Sequence, residues 1–183
     1  MASSKTLLIT GVSSGFGRAI AEEALAVGHK VVGTVRSAQA KGDFESLSVN
    51  ATFGRVLDVT DFGAIDGMVS EIEASVGPID VLINNAGYGH EGILEESPLS
   101  QMRRQFDVNV FGAVAMMKAV LPFMRERRRG HILNITSMGG HITMPGIAYY
   151  CGSKFALEGI SEALGKEVKG LGIAKGARPP GKR

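Results

Sequence analysis

The stretch that decides the fold is Thr6-Leu7-Leu8-Ile9-Thr10-Gly11-Val12-Ser13-Ser14-Gly15-Phe16-Gly17, followed by the alanine-rich run Arg18 to Val27. A short apolar run meets a turn carrying glycines at 11, 15 and 17, and the alanine-rich segment has helical character. Strand, turn and helix therefore follow in order. Residues without a β-carbon let the chain turn sharply and let a pyrophosphate approach the amides and positive dipole at a helix start. A tight turn that binds nothing has the same composition, so a glycine cluster alone is a weak signal. The flanking strand and helix strengthen it.

Outward from this turn the same rhythm continues. Gly28 closes the helix and Lys30 to Val35 forms a second β-branched run, which makes a βαβ unit with a parallel strand pair. Arg55 to Leu57 reads as a third strand. Phe62 to Val76 reads as a helix with apolar residues at 62, 65, 69, 72 and 76, and Ile79 to Ile83 as a buried strand. Ser97-Pro98 has the chemistry of a helix start, and that helix is expected to run to about Glu126 with a break or bend near Pro122. A fifth strand over His131 to Thr136 and a last helix from about Tyr149 to Val168 complete the pattern. Strands separated by helices imply an α/β fold: a doubly wound, Rossmann-type parallel sheet in a three-layer α/β/α arrangement. No repeat or interdomain linker interrupts it, so residues 1–169 are expected to form one dinucleotide-binding domain that includes the catalytic residues.

Composition bounds the function. A chain of 183 residues, 44% hydrophobic and 21% charged, can build one soluble core without disulfides or a metal. Its 25 glycines show no triplet period, which excludes a collagen-like chain. Cys151 has no partner, no Cys/His spacing suggests a metal site, and no apolar run approaches the ~20 residues of a membrane span. These features fit a cytoplasmic protein with no membrane span and no metal. Of its 20 basic groups, four lie in residues 170–183, which hold no acid. This basic Gly/Pro tail reads as a solvated, disordered terminus rather than a nucleic-acid arm. The cluster Arg125, Arg127, Arg128 and Arg129 suits the negative end of a helix dipole.

The end of the second strand bears on cofactor choice. An acid there would bind the ribose hydroxyls, whereas an arginine accommodates a 2′-phosphate. The sequence is Val31-Val32-Gly33-Thr34-Val35-Arg36, without an acid. Arg36, assisted by Ser13, favours NADP(H), with NAD(H) still possible; the alternative is a cation that merely caps the sheet edge.

Tyr149 and Tyr150 adjoin at the start of the last helix, but only Tyr150 has a lysine four residues on, Lys154. Positions i and i+4 share a helix face, so the ammonium can sit near the phenol and favour phenolate, which suits Tyr150 to acid/base work near neutrality. Ser137 closes the fifth strand, at the carboxyl edge of the sheet where ligands of such folds bind. Its hydroxyl could hold a carbonyl or alcohol oxygen for Tyr150. A serine nucleophile lacks support, because no GxSxG elbow surrounds Ser137 and no histidine has a recognisable base spacing.

In these residues the chain resembles the classical short-chain dehydrogenases/reductases. The match comprises the TGxxxGxG turn at Thr10 to Gly17, the NNAG segment Asn84-Asn85-Ala86-Gly87, Ser137, and YxxxK at Tyr150 to Lys154, over about residues 5–173. The resemblance implies an oxidoreductase that interconverts a carbonyl with a primary or secondary alcohol using NADP(H). Tyr150 would be its acid/base, Lys154 would hold the nicotinamide ribose, and Ser137 would orient the reacting oxygen. Asn109 would help position a water in a proton relay, although a helix polar residue satisfied by a neighbour has the same appearance. Gly11, Ser13, Ser14, Gly15, Phe16, Gly17, Arg36, Asp58, Val59, Asn85, Ala86 and Gly87 would line the cofactor with Tyr150 and Lys154. A small-molecule substrate would face Tyr88, His90, Met138, His141, Met144 and Ile147. The helices matching Pro98 to Glu126 and Tyr149 to Val168 imply a homo-oligomer.

The chain departs from the family after the last helix, where members continue into a sixth strand, a PG turn and a substrate-covering segment. Residues 174–178 lack β-branched alternation and Pro179 removes a ladder donor, so no buried sixth strand is expected. The fold would then miss the family's last strands, with the fifth strand as a bare edge, as in a truncated or frameshifted product. The competing expectation is a catalytically weak or inactive NADP(H)-binding protein that acts through a partner subunit.

Overall fold

The computed structural model describes residues 4–178. Six strands form one parallel sheet in the order β3-β2-β1-β4-β5-β6: β1 Thr6–Thr10, β2 Lys30–Val35, β3 Thr52–Val56, β4 Val81–Asn84, β5 Gly130–Ile135 and β6 Ile173–Arg178. The order reverses between β1 and β4. Helices α1 Gly15–Ala26 and α2 Ala38–Glu45 cover one face, and α3 Phe62–Ser75, α5 Ala113–Glu126 and α6 Ala148–Glu167 the other. α4 Leu99–Phe106 precedes α5.

Alternation along the strands divides the core. Leu7 and Ile9 point to the α1/α2 face with Val31, Val35 and Phe44, while Leu8, Val32, Leu82 and Ile132 point to the other with Ile65, Met116 and Val120. Both faces of the central strands are buried, which is why β1 reads as a continuous apolar run rather than an alternating one.

The expected doubly wound α/β fold is present, with four local corrections, the first being that β3 runs over Thr52–Val56 and so starts three residues before the expected Arg55 and ends before Leu57. α2 was not anticipated: it holds one buried residue, Phe44, so its apolar pattern is weak, and it starts on Ser37, whose hydroxyl accepts the Ala40 N–H at 3.2 Å. The helical run after Ser97-Pro98 changes character at Asp107–Gly112, a six-residue π-helical turn, and not at Pro122, which sits inside α5. Neither Ser97 nor Pro98 caps α4 with a side chain. Finally, a sixth strand does form, against the expectation of a disordered tail from residue 170. β6 pairs with β5 from Gly130↔Ile173 to Ile135↔Arg178. The open N–H and C=O row of β5 supplies the partner groups whatever the side-chain pattern, and the six residues of β6, Ile173–Arg178, contain no proline. Residues 179–183 of the expected tail lie outside the described residues.

The helical run Leu99–Glu126 contains a stretch of mean hydropathy 1.4, long and apolar enough by composition to cross a membrane. In the fold it is a core helix: Met116, Met117, Val120 and Met124 pack against the sheet.

Candidate active site

The carboxyl ends of β1 to β5 open onto one cleft of about 1190 Å³. Its floor is the glycine turn. Gly11 and Gly15 adopt φ of +74° and +60°, a region that L side chains avoid. The Gly11 and Val12 N–H groups both donate to Thr34 O at 3.1 Å, which ties the turn to β2. Gly17 meets a tighter constraint, since a β-carbon there would stand 2.1 Å from Gly11 O and 2.5 Å from Asn85 Nδ2. Gly17 is therefore a packing glycine behind the turn, whereas Gly11, Ser13, Ser14, Gly15 and Phe16 face the cleft. Asn85 braces the turn: its Nδ2 donates to Thr10 O and Gly11 O at 3.0 Å, and Thr10 Oγ1 accepts from the Asn85 and Ala86 N–H groups.

The entrance of α1 suits an anion. Its N-cap Ser14 makes no side-chain cap bond and its first turn carries no acid, so neither competes for the dipole's positive end. Arg36 lines the same cleft, with Asp58 and Val59 from the end of β3 and Arg104 from α4. Asp58 is held below the usual carboxylate range, first by the Thr60 N–H and hydroxyl at 2.9 and 2.7 Å and further by Arg36 and Arg104. Arg36 and Arg104 both act on Asp58 at this end, and Asp107 lines the same cleft three residues beyond Arg104. This donor set fits a phosphorylated dinucleotide: glycines and open amides for a pyrophosphate, arginines for a further phosphate.

At the other end, α6 presents its two tyrosines differently. Tyr149 is buried, donates its hydroxyl to Ser97 O at 2.6 Å and stacks on His90 with ring centroids 5.4 Å apart. Tyr150 lines the cleft. Gly139 makes room for its ring, since a β-carbon there would lie 3.3 Å from a ring carbon, and Gly89 lies against the ring as well. Lys154 lines the cleft too, with Nζ 5.8 Å from the Tyr150 ring centroid and donating to Ile135 O at 2.8 Å. Burial pushes the Lys154 ammonium down to about 8, with Glu158 opposing the fall. It stays predominantly charged at neutral pH.

Ser137 lies beside the cleft rather than among its lining residues; its Oγ accepts the Gly139 N–H at 3.1 Å, which leaves the hydroxyl proton free to donate. Asn109, in the π-helical turn, is buried behind the cleft. Its Oδ1 accepts the Tyr88 N–H, and its Nδ2 donates to Tyr88 O at 2.9 Å and Ser153 Oγ at 3.1 Å. Both amide protons are engaged within the protein, so this side chain clamps the loop after β4. Of the residues expected to meet substrate, Tyr88 and Ile147 line the cleft, His90 is taken up by Ser97 and Tyr149, and Met138, His141 and Met144 stand exposed on the loop after β5.

Three contributors escaped the sequence. Arg104 had no spacing to separate it from its neighbour Arg103. Gln105 is fully buried, donating to Tyr88 O and accepting the His90 N–H at 2.7 Å, and a polar residue at one helix position gives no advance sign of this. Thr136 Oγ1 is buried at the cleft without a partner.

The glycine turn after β1, the cleft at the point where strand order reverses, and Tyr150 and Lys154 on one wall of that cleft are the features of a Rossmann-type α/β protein. The chain belongs to the short chain dehydrogenase family, whose model matches residues 5–182. It is 44% identical over 162 residues to a 3-ketodihydrosphingosine reductase of Bacteroides thetaiotaomicron, covering 88% of this chain and 58% of that protein. A short-chain dehydrogenase from Streptomyces avermitilis superposes with a TM-score of 0.94 at 42% identity, over all of this chain and 67% of the other. A metagenomic short-chain oxidoreductase in complex with NADP superposes with a TM-score of 0.91 at 28% identity, over 99% of this chain and 84% of the other.

Proposed function

We propose that the protein binds NADP(H) in the cleft and reduces a carbonyl to an alcohol, with Tyr150 as proton donor. The observation that carries this is the placement of Tyr150 and a buried, charged Lys154 on one wall of a cleft whose far end is the glycine turn. The bound nicotinamide would supply the hydride, the chemistry that no side chain here provides.

The residues of the chain do the rest. Gly11 to Phe16 hold the pyrophosphate against the start of α1, and Arg36 with Ser13 takes the 2′-phosphate. Arg104 adds positive charge at that end. Asp58 and Val59 flank the adenine, and Asn85 to Gly87 line the cofactor and brace the turn. Tyr150 donates its phenolic proton to the substrate oxygen. The Lys154 ammonium stabilises the negative charge left on the phenol oxygen and holds the nicotinamide ribose. Ser137 directs its free hydroxyl proton to the same substrate oxygen, and Asn109, through its remaining Oδ1 lone pair, holds a relay water. NAD(H) binds more weakly for want of the 2′-phosphate.

At the Tyr150 end Ile147 and Tyr88 line the cleft together with Glu91, and Met138, Ile142 and Met144 are exposed on the loop after β5, so a ketone or aldehyde with a hydrocarbon body fits, in keeping with the ketone in the name of the Bacteroides reductase. Exposed Phe111 of the π-helical turn and Phe155 of α6 lie on the helices through which we propose self-association. Residues 1–169 with β6 act as one Rossmann-type unit in the cytoplasm.

The test is NADPH fluorescence titration followed by turnover on a panel of alkyl ketones and aldehydes. Binding with turnover that falls at least ~100-fold in Tyr150→Phe is the expected result. Binding without turnover by any substrate would favour a cofactor-binding protein acting through a partner, and absence of NADPH binding would refute both.

A further inference from the structure

Glu158 has no part in the site as described, yet it lies one helical turn beyond Lys154 on α6. Residues four apart share a helix face, so the carboxylate stands on the same side of α6 as Lys154 without forming an ion pair with it, the Lys154 Nζ donating to Ile135 O instead. The side chain is 18% exposed, and its Oε1 is buried without an aligned hydrogen-bond donor. His141 approaches from the loop after β5: its Nε2 is 3.1 Å from that oxygen, within ion-pairing distance but off the line of a hydrogen bond. Gly140 permits the approach. A β-carbon there would lie 3.1 Å from Glu158 Cγ and 3.1 Å from Lys154 O, so the loop presses on α6 at these two residues.

A carboxylate oxygen that lacks donors projects its charge through a poorly screened interior and acts on a cation nearby. Lys154 is such a cation, 6% exposed, with its hydrogen bond going to a neutral carbonyl, Ile135 O. Of the other titratable groups around Lys154, Tyr150, Glu91 and Asp107 line the same cleft on its open side, Lys175 of β6 lies beside Gly165 about three turns along α6, and Glu162 is paired with Lys166 at 2.7 Å.

We propose that Glu158 is a positioning residue: its carboxylate keeps the Lys154 ammonium charged inside the protein, with His141 on the facing loop able to offset that field. The catalytic consequence rests on the reductase function proposed above; the electrostatic relation does not. A role confined to tying the loop to α6 would leave the titration of Lys154 unchanged.

The test is a 13Cε NMR titration of the lysines in the 183-residue chain without cofactor, with the Lys154 resonance assigned by its disappearance in Lys154→Met. The wild-type midpoint is expected near the value of about 8 that burial produces. In Glu158→Gln it should fall by about half to one pH unit, and Glu158→Asp should recover part of that shift. His141→Lys, on an exposed side chain, sets a fixed cation against Glu158 and should move the midpoint in the same direction even if Glu158→Gln does not fold. The alkaline limb of kcat/KM for NADPH-dependent reduction should move down in parallel. A shifted lysine in a protein that turns nothing over would refute the reductase function and uphold the hold of Glu158 on Lys154. An unshifted midpoint in Glu158→Gln, or in His141→Lys should the former not fold, overturns the proposal whatever the activity.

Discussion

Lys154 makes the stability of the fold depend on pH. Its ammonium is buried and pushed down to about 8 from an ordinary 10.5. Below the folded value the lysine is charged in both the folded and unfolded chains, and the folded protein bears the full cost of burying that charge. Between the two values the unfolded chain binds more protons than the folded one, so stability rises with pH; above both values the cost is gone. The difference of about 2.5 units corresponds to about 3 kcal/mol, most of it released between roughly pH 7 and pH 10. Lys154→Met removes the titrating group and keeps the apolar stem. Urea unfolding followed by far-ultraviolet circular dichroism across this window, on wild type and variant together, isolates the effect because every other group titrates in both. The wild type should gain about 2 to 3 kcal/mol relative to Lys154→Met as pH rises. A constant difference between the two would refute the claim that Lys154 is held charged against burial.

Other expectations follow from contacts described above. Gly17→Ala drives a methyl into Gly11 O and Asn85; it should destabilise the fold by about 2 kcal/mol or more in thermal melts and abolish NADPH binding measured by fluorescence. Arg36→Glu should weaken NADPH at least ~10-fold while changing NADH much less, read by parallel titrations; equal losses would show that Arg36 does not meet the 2′-phosphate. Gln105→Ala leaves Tyr88 O and the His90 N–H without their partner, at a cost of about 1 to 3 kcal/mol in urea unfolding, and frees the loop after β4, so Kd for NADPH should rise. Tyr149→Phe should lower stability by about 1 kcal/mol through loss of the bond to Ser97 O while sparing turnover, the opposite of Tyr150→Phe.

The parts of the fold legible in advance were those written in local pattern. The run Thr6 to Thr10 with its glycine turn specified the first strand, the turn and α1, because close approach tolerates only glycine at 17 and positive φ favours it at 11 and 15. YxxxK placed Tyr150 and Lys154 on one helix face by 3.6-residue periodicity alone. What escaped was set by partners remote in sequence. β6 exists because β5 offers an open hydrogen-bonding edge 43 positions away in register, not because Ile173 to Arg178 has a strand pattern of its own. α2, with its single buried side chain, is another such case.

The sequence by itself determined the α/β class, the glycine turn and the pairing of Tyr150 with Lys154 on one helix face, since each depends on neighbours within a few residues. Only the tertiary structure decided that Tyr149 is structural and Tyr150 faces the cleft, that Arg104 joins Arg36 near Asp58, and that Asn109 and Gln105 clamp the loop bearing Tyr88. It likewise brought His141 against Glu158 beside Lys154. Burial and electrostatic field depend on which distant segments crowd a group, and that crowding appears only once the sheet has gathered its strand ends at one edge.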